Sequence, residues 1–105
     1  MEMADLKYIT PLKWYYNIYS KGGHLVLSYG YAKKEMAEMV RDNVEEIKQQ
    51  LIKIGAKPNP NIQHIVVEEA IGWKVGDETF SDYHEALWYT WNNNNQKIEG
   101  IFKKD

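Results

Sequence analysis

The chain has 105 residues, a net charge of −2 and no cysteine, with 44% apolar residues that include eight Tyr and four Trp. That length fits one domain, 1–105, with enough apolar mass for one core. The composition excludes a disulfide framework, a thiolate zinc site and thiol chemistry, and no apolar run approaches the roughly 20 residues of a membrane span. Met1 to Thr10 lacks the charged-then-apolar layout of a secretion signal, so a cytoplasmic protein is expected. The charge is uneven. Residues 1–34 hold five Lys against Glu2 and Asp5, whereas residues 35–105 hold eight Lys or Arg against thirteen acids.

The first predicted element is a hairpin. Trp14 to Ser20 and Leu25 to Tyr31 flank Gly22-Gly23, a pair suited to a type I′ turn. With Lys21 opposite His24, Ile18 faces Leu27, Tyr16 faces Tyr29 and Trp14 faces Tyr31 on one side. The other side carries Tyr15, Asn17, Tyr19, Lys21, His24, Val26 and Ser28, the composition of a sheet wet on one face.

Lys33 to Ile54 then reads as one long helix. At about 100° per residue, Met36, Val40, Val44, Ile47, Leu51 and Ile54 fall within an arc of about 80°, an oily side for the rest of the protein to cover. Glu35, Glu38, Asp42, Glu45, Glu46 and Gln49 occupy about 100° on the opposite side, an acidic ridge free to face water or a partner. Gly55 suits a left-handed cap, Pro58 and Pro60 forbid further helix, and Lys57 to Asn61 reads as a loop.

A second β region spans Ile62 to Phe80. Ile65-Val66-Val67 is strongly strand-forming, Glu68 to Gly72 is either a turn or a bulge, and Gly76-Asp77 is a tight turn that sets Trp73 opposite Phe80. A shorter helix starts near Ser81 or Asp82, and Asp82 with Glu85 fits a capping box. Its inner face is predicted to be Tyr83, Ala86, Leu87, Thr90 and Trp91, with Trp88 and Tyr89 pointing elsewhere. Asn92 to Asn95 ends it, and Ile98 to Phe102 offers a last strand. The order ββα-ββα(β) predicts an α+β fold, an antiparallel sheet with one long and one shorter helix packed on one face. The two halves echo one another weakly.

No catalytic pattern is present. The three histidines, His24, His64 and His84, lack helical metal-pair spacing, so no metal or other cofactor is expected. Ser20, Ser28 and Ser81 have no nucleophile motif, and the pairs Glu45-Glu46, Glu68-Glu69 and Asp77-Glu78 point apart in helix or strand. The expectation is a protein that is not an enzyme.

Two binding readings remain, with a homodimer through Trp88, Tyr89 and the last strand as a third. The acidic face of Glu35, Glu38, Asp42, Glu45 and Glu46 would attract a protein partner with a basic surface, such as the nucleic-acid channel of a nuclease. In type, the chain resembles the small acidic inhibitors of phages and other mobile elements, the anti-CRISPR and anti-restriction proteins. That resemblance implies an inhibitor of a nucleic-acid-processing protein.

The alternative contact is nucleic acid, through Lys13, Tyr15, Tyr19, Lys21, His24, Lys33 and Lys34, which combine rings with positive charge. The string Trp14-Tyr15-Tyr16 through Gly30-Tyr31, then Lys33-Lys34-Glu35-Met36-Ala37, resembles the arm-site DNA-binding domain of phage-type integrases over about a third of the chain. The resemblance implies a small sheet in the major groove followed by a helix. The chain departs from that pattern in its acidity and in showing no third strand before the helix.

Overall fold

The computed structural model describes residues 6, 8–57 and 62–103, with residues 62–64 described by their backbone alone. The fold is α+β. Strand β1 (Trp14–Ser20) and β2 (Leu25–Tyr31) form the hairpin, helix α1 (Lys34–Lys53) follows, and β3 (Ile62–Glu69) returns along β1. Strands β4 (Gly72–Val75) and β5 (Glu78–Phe80), helix α2 (Tyr83–Asn92) and β6 (Ile98–Ile101) then repeat the pattern. The strands divide into two antiparallel three-stranded sheets, ordered β2-β1-β3 and β5-β4-β6, each with its own helix. The weak echo in the sequence is therefore a topological repeat: two ββαβ units with the same strand order. Trp14 pairs with Tyr31 in the first as Trp73 pairs with Phe80 in the second. Two residues separate Tyr31 from α1, and two separate Phe80 from α2.

The hairpin register agrees with the sequence at Trp14–Tyr31, Tyr16–Tyr29 and Ile18–Leu27. Its turn differs. Only Gly23 has a positive φ (82°), its N–H donates to the Ser20 carbonyl, and Ser20 N–H donates to His24. A type I′ turn needs two left-handed residues, whereas a turn closed by one left-handed glycine and a bulge needs one. The bulge shifts the register so that Tyr19 pairs with Leu25.

Helix α1 ends in a Schellman motif. Gly55 at φ 105° lets Gly55 N–H reach the Ile52 carbonyl and Ala56 N–H reach Leu51. The expected loop at 57–61 lies mostly outside the described residues, as do both of its prolines. Glu68 to Gly72 is neither a simple turn nor a bulge. The strand continues to Glu69, Ala70 N–H donates to the Lys13 carbonyl, and Ile71 N–H donates to the Ile101 carbonyl. The chain thus passes from one sheet to the other in two residues. Helix α2 is capped by Asp82, whose carboxylate accepts from His84 N–H at 3.1 Å. It closes at Asn93, and Asn94 and Asn95 follow at positive φ. Asn visits that region more readily than most residues.

The main core lies where the second unit folds onto the first. Tyr15, Ala70, Trp73, Val75, Tyr83 and Ala86 are buried together, flanked by Leu12, Phe80, Leu87, Tyr89, Ile98 and Phe102. Tyr15 meets Phe102 edge-on, Trp73 meets Tyr83 edge-on, and the Trp73 indole N–H donates to the Leu12 carbonyl at 3.1 Å. Burial of Tyr15, Tyr16 and Asn17 in succession means that both faces of β1 are covered. The second hairpin face is therefore covered around Tyr15 and Asn17, where β6 and Phe102 lie over Tyr15, and wet toward its tip, where Lys21, His24 and Val26 are exposed. Trp91, expected inside, is about half exposed, and Tyr89 instead packs on Phe80. The molecule measures 52 × 27 × 27 Å with a radius of gyration of 16.1 Å. A compact chain of this length would have about 13 Å, so the two units lie end to end.

Candidate protein-binding surface

Helix α1 presents three faces. Toward its own sheet it turns Ala37, which is fully buried, and Val40, Arg41, Lys48 and Ile52, which are half-buried, so that Val40 alone of the apolar stripe is partly covered there. These positions are centred about 80° around the helix from the apolar stripe. The oily side is consequently not covered as the sequence suggests. Ile47 (56% exposed) and Ile54 (81%) stand largely in solvent, and Met36 and Leu51 are about half exposed. Length contributes: twenty helical residues span about 30 Å, whereas the strands beneath, of seven or eight residues, span about 23–26 Å. Val44, Ile47, Leu51 and Ile52 form one wall of an apolar groove of about 400 Å³, with Tyr16, Ile18 and Ile65 of the sheet as its floor and Lys48 and Lys57 at its rim.

The third face is the acidic ridge. Glu35, Asp42, Glu45 and Glu46 are exposed and Glu38 is half-buried. Glu35, Glu38 and Asp42 surround a shallow depression with Met39 and Asn43. Arg41 reaches both Asp42 (3.1 Å) and Glu38 (3.8 Å), and Glu45 accepts from Gln49 at 3.0 Å. Among the described residues, Glu35 and Glu46 have no ion-pair partner. The field is felt inside the fold: burial raises the Tyr16 pKa, and the Glu45 charge raises it further, ahead of Tyr29 and Tyr31. The Tyr16 hydroxyl is buried and has no hydrogen-bond partner among the described residues.

The residues of the nucleic-acid alternative do not share one surface. Tyr15 is buried, and burial raises its pKa against the lowering effect of a hydrogen bond with Trp73. Lys13 pairs with Glu69 at 2.9 Å, and the Lys34 ammonium sits 5.3 Å above the Trp14 ring. Lys21, His24 and Lys33 are exposed. Tyr19 is half-buried and its hydroxyl donates to Glu68, whose carboxylate also accepts from the Asn17 amide at 2.7 Å. Ser28 donates to Asn17 at 2.5 Å. Burial first, and the Glu68 carboxylate next, push the Tyr19 hydroxyl up to about 12.

This polar cluster escaped sequence reasoning. Its trace in the sequence is the alternation of Asn17 and Tyr19 on one strand with Ser28 on the next, which reads equally well as a solvated face. A cleft of about 490 Å³ opens beside it between residues 25–29 of β2 and residues 97–100, at the start of β6. His24 sits at the hairpin tip and the His64 side chain lies outside the described residues. His84 donates from Nε2 to the Ile9 carbonyl at 2.8 Å, tying the N-terminal segment to α2. No group of three His, Cys, Asp or Glu suited to a metal ion, and no helix long and apolar enough to cross a membrane, occurs among the described residues. Compared with family models, curated proteins and solved structures, the chain finds no match.

Proposed function

We propose that this protein is a non-enzymatic binding module whose α1 ridge recognises a basic surface on another protein. The observation that carries the reading is the outward row of Glu35, Glu38, Asp42, Glu45 and Glu46, neutralised only in part by Arg41. Five carboxylates along about 17 Å of helix make a field that steers a cationic partner and fixes its register. Met39, exposed among them, supplies an apolar contact at the centre of the charged patch. The finer form of the reading is an inhibitor or adaptor of the anti-CRISPR or anti-restriction type, carried by a phage or mobile element. What supports that form is the length and charge of the rod alone.

The test uses the full chain as bait in a bacterial lysate, with and without nuclease, beside the Glu38→Lys/Glu45→Lys variant. A protein retained by the wild type after nuclease treatment, and lost from an equally stable variant, is the expected result. Equal retention by both, or loss of all binding on nuclease treatment, overturns it.

A further inference from the structure

We infer that two copies of this chain pair through the uncovered flank of α1 and the free edge of β3, forming a two-fold dimer with a continuous six-stranded sheet. The inference goes beyond the proposed function, because it uses the opposite flank of the helix from the acidic ridge.

Three observations carry it. First, the exposed apolar residues form one stripe along the helix. Met36, Val44, Ile47, Leu51 and Ile54 are each at least 38% exposed. Together they leave roughly 500 Å² in contact with water, within the range of the largest patch on a typical monomer, a patch that is often functional. A standard interface takes about 800 Å² from each partner, and the strand edge adds to this side.

Second, the groove joins that flank to a sheet edge. Ile47 and Leu51 share it with Ile65 of β3, and β3 has β1 as its one neighbour among the described residues. Natural edge strands are protected by lysine, proline or a bulge. Ile65-Val66-Val67 carries no lysine or proline, and the register shift in the pairing of β3 with β1 lies ahead of it, between Ile62 and His64.

Third, the strand suits its own copy. The only charges on β3 with described side chains, Glu68 and Glu69, lie at one end. Antiparallel pairing centred on Ile65–Val66 sets them against the opposite end of the other strand, so like charges do not meet. A two-fold axis at that point also brings the two α1 helices side by side, antiparallel, with identical apolar flanks in contact. Each copy's Ile47 and Leu51 then close the groove of the other. The acidic ridges are left pointing away from the joint, one on each copy.

Sedimentation equilibrium of the full chain from ~1 to ~500 µM is the first measurement, a range that detects micromolar to sub-millimolar association. The mass is expected to rise toward twice the 12.4 kDa of one chain. The variant Ile47→Asp/Leu51→Asp is expected to remain at one chain mass at every concentration, whereas Trp88→Ala behaves as wild type. Because the double variant also touches the groove, a cross-linking pair stands beside it. The chain has no cysteine, so Leu51→Cys and Asp42→Cys each carry a single thiol. A short bis-maleimide is expected to couple Leu51→Cys copies and to leave Asp42→Cys copies single. A wild type that stays monomeric throughout, a dimer lost on Trp88→Ala but retained in the double variant, or coupling through Asp42→Cys rather than Leu51→Cys would overturn the inference.

Discussion

The Tyr19 hydroxyl donates to the same Glu68 oxygen that accepts from the Asn17 amide, so a phenol and a buried amide share one carboxylate on the covered face of the first sheet. The phenol is held protonated by burial and by the charge beside it. An unfolded tyrosine loses its proton near pH 10, whereas Tyr19 in the fold keeps it until about 12. Above pH 10 the folded state binds the extra proton, so stability present below that value is lost as pH rises toward 12. Alkaline unfolding should accordingly be steep between pH 10 and 12 and flatter in Tyr19→Phe, as followed by circular dichroism. In Glu68→Gln, which removes the neighbouring charge, the phenolate band of Tyr19 should emerge at lower pH. An unchanged profile in both variants would refute the coupling.

Asn17 has no exposed surface and binds Ser28 on one side and Glu68 on the other. Asn17→Ala leaves both partners short of a hydrogen bond in a covered place. A loss of about 1–3 kcal/mol is expected by urea unfolding, and a change below about 0.5 kcal/mol, the range of an ordinary surface substitution, would contradict this account.

The Tyr15 ring lies between two glycines. A Cβ at Gly30 would stand 2.8 Å from the ring, and one at Gly100 would stand 3.2 Å from its other side. With a glycine backbone close to each edge the ring has little room to shift, so Gly30→Ala should cost about 1–3 kcal/mol through overpacking. The penalty should largely vanish in a Tyr15→Ala background, a non-additivity that a double-mutant cycle measures directly. Equal cost in both backgrounds would show that the glycine serves some other purpose.

Helix α2 begins on a single side-chain cap. Asp82→Ala removes the acceptor for His84 N–H and should lower stability by about 1 kcal/mol. Asp82→Ser should restore most of it. Chemical denaturation of the three proteins decides the matter.

The hairpin offers DNA a poor surface, since Tyr15 is buried and Lys13 is tied to Glu69. Mobility-shift assays at ~50 mM salt, where phosphate contacts are strongest, should show no discrete complex. A shift that weakens with Lys13→Glu and Lys21→Glu would instead establish nucleic acid as the partner.

Local chemistry was legible in the sequence. The pairing of Trp14 with Tyr31 and of Trp73 with Phe80, the helix stop at Gly55 and the cap at Asp82 all follow from residues within a few positions of each other. What depends on distant chain was not. Asn17 looks like a solvent residue until Glu68, fifty-one positions away, is brought beside it. The helix period located the oily stripe of α1 correctly, but period alone cannot say which way a helix is rolled on its sheet. Here Ala37, the smallest side chain, sets the closest approach and turns Ile47 and Ile54 outward. The acidic ridge was readable because exposed charge needs no tertiary partner.

Ala70 and Ile71 donate their amide hydrogens to Lys13 and Ile101, one in each sheet. The connection between the repeated units therefore contains no slack, and it works as a keyed joint rather than a tether. Adding a single residue there would put β4 out of phase with β3 and turn the Trp73 side chain away from Leu12. Lengthening the chain at the Gly22-Gly23 tip would disturb neither unit. Tolerance of insertions should thus be high at the outer ends of this molecule and almost nil at its middle.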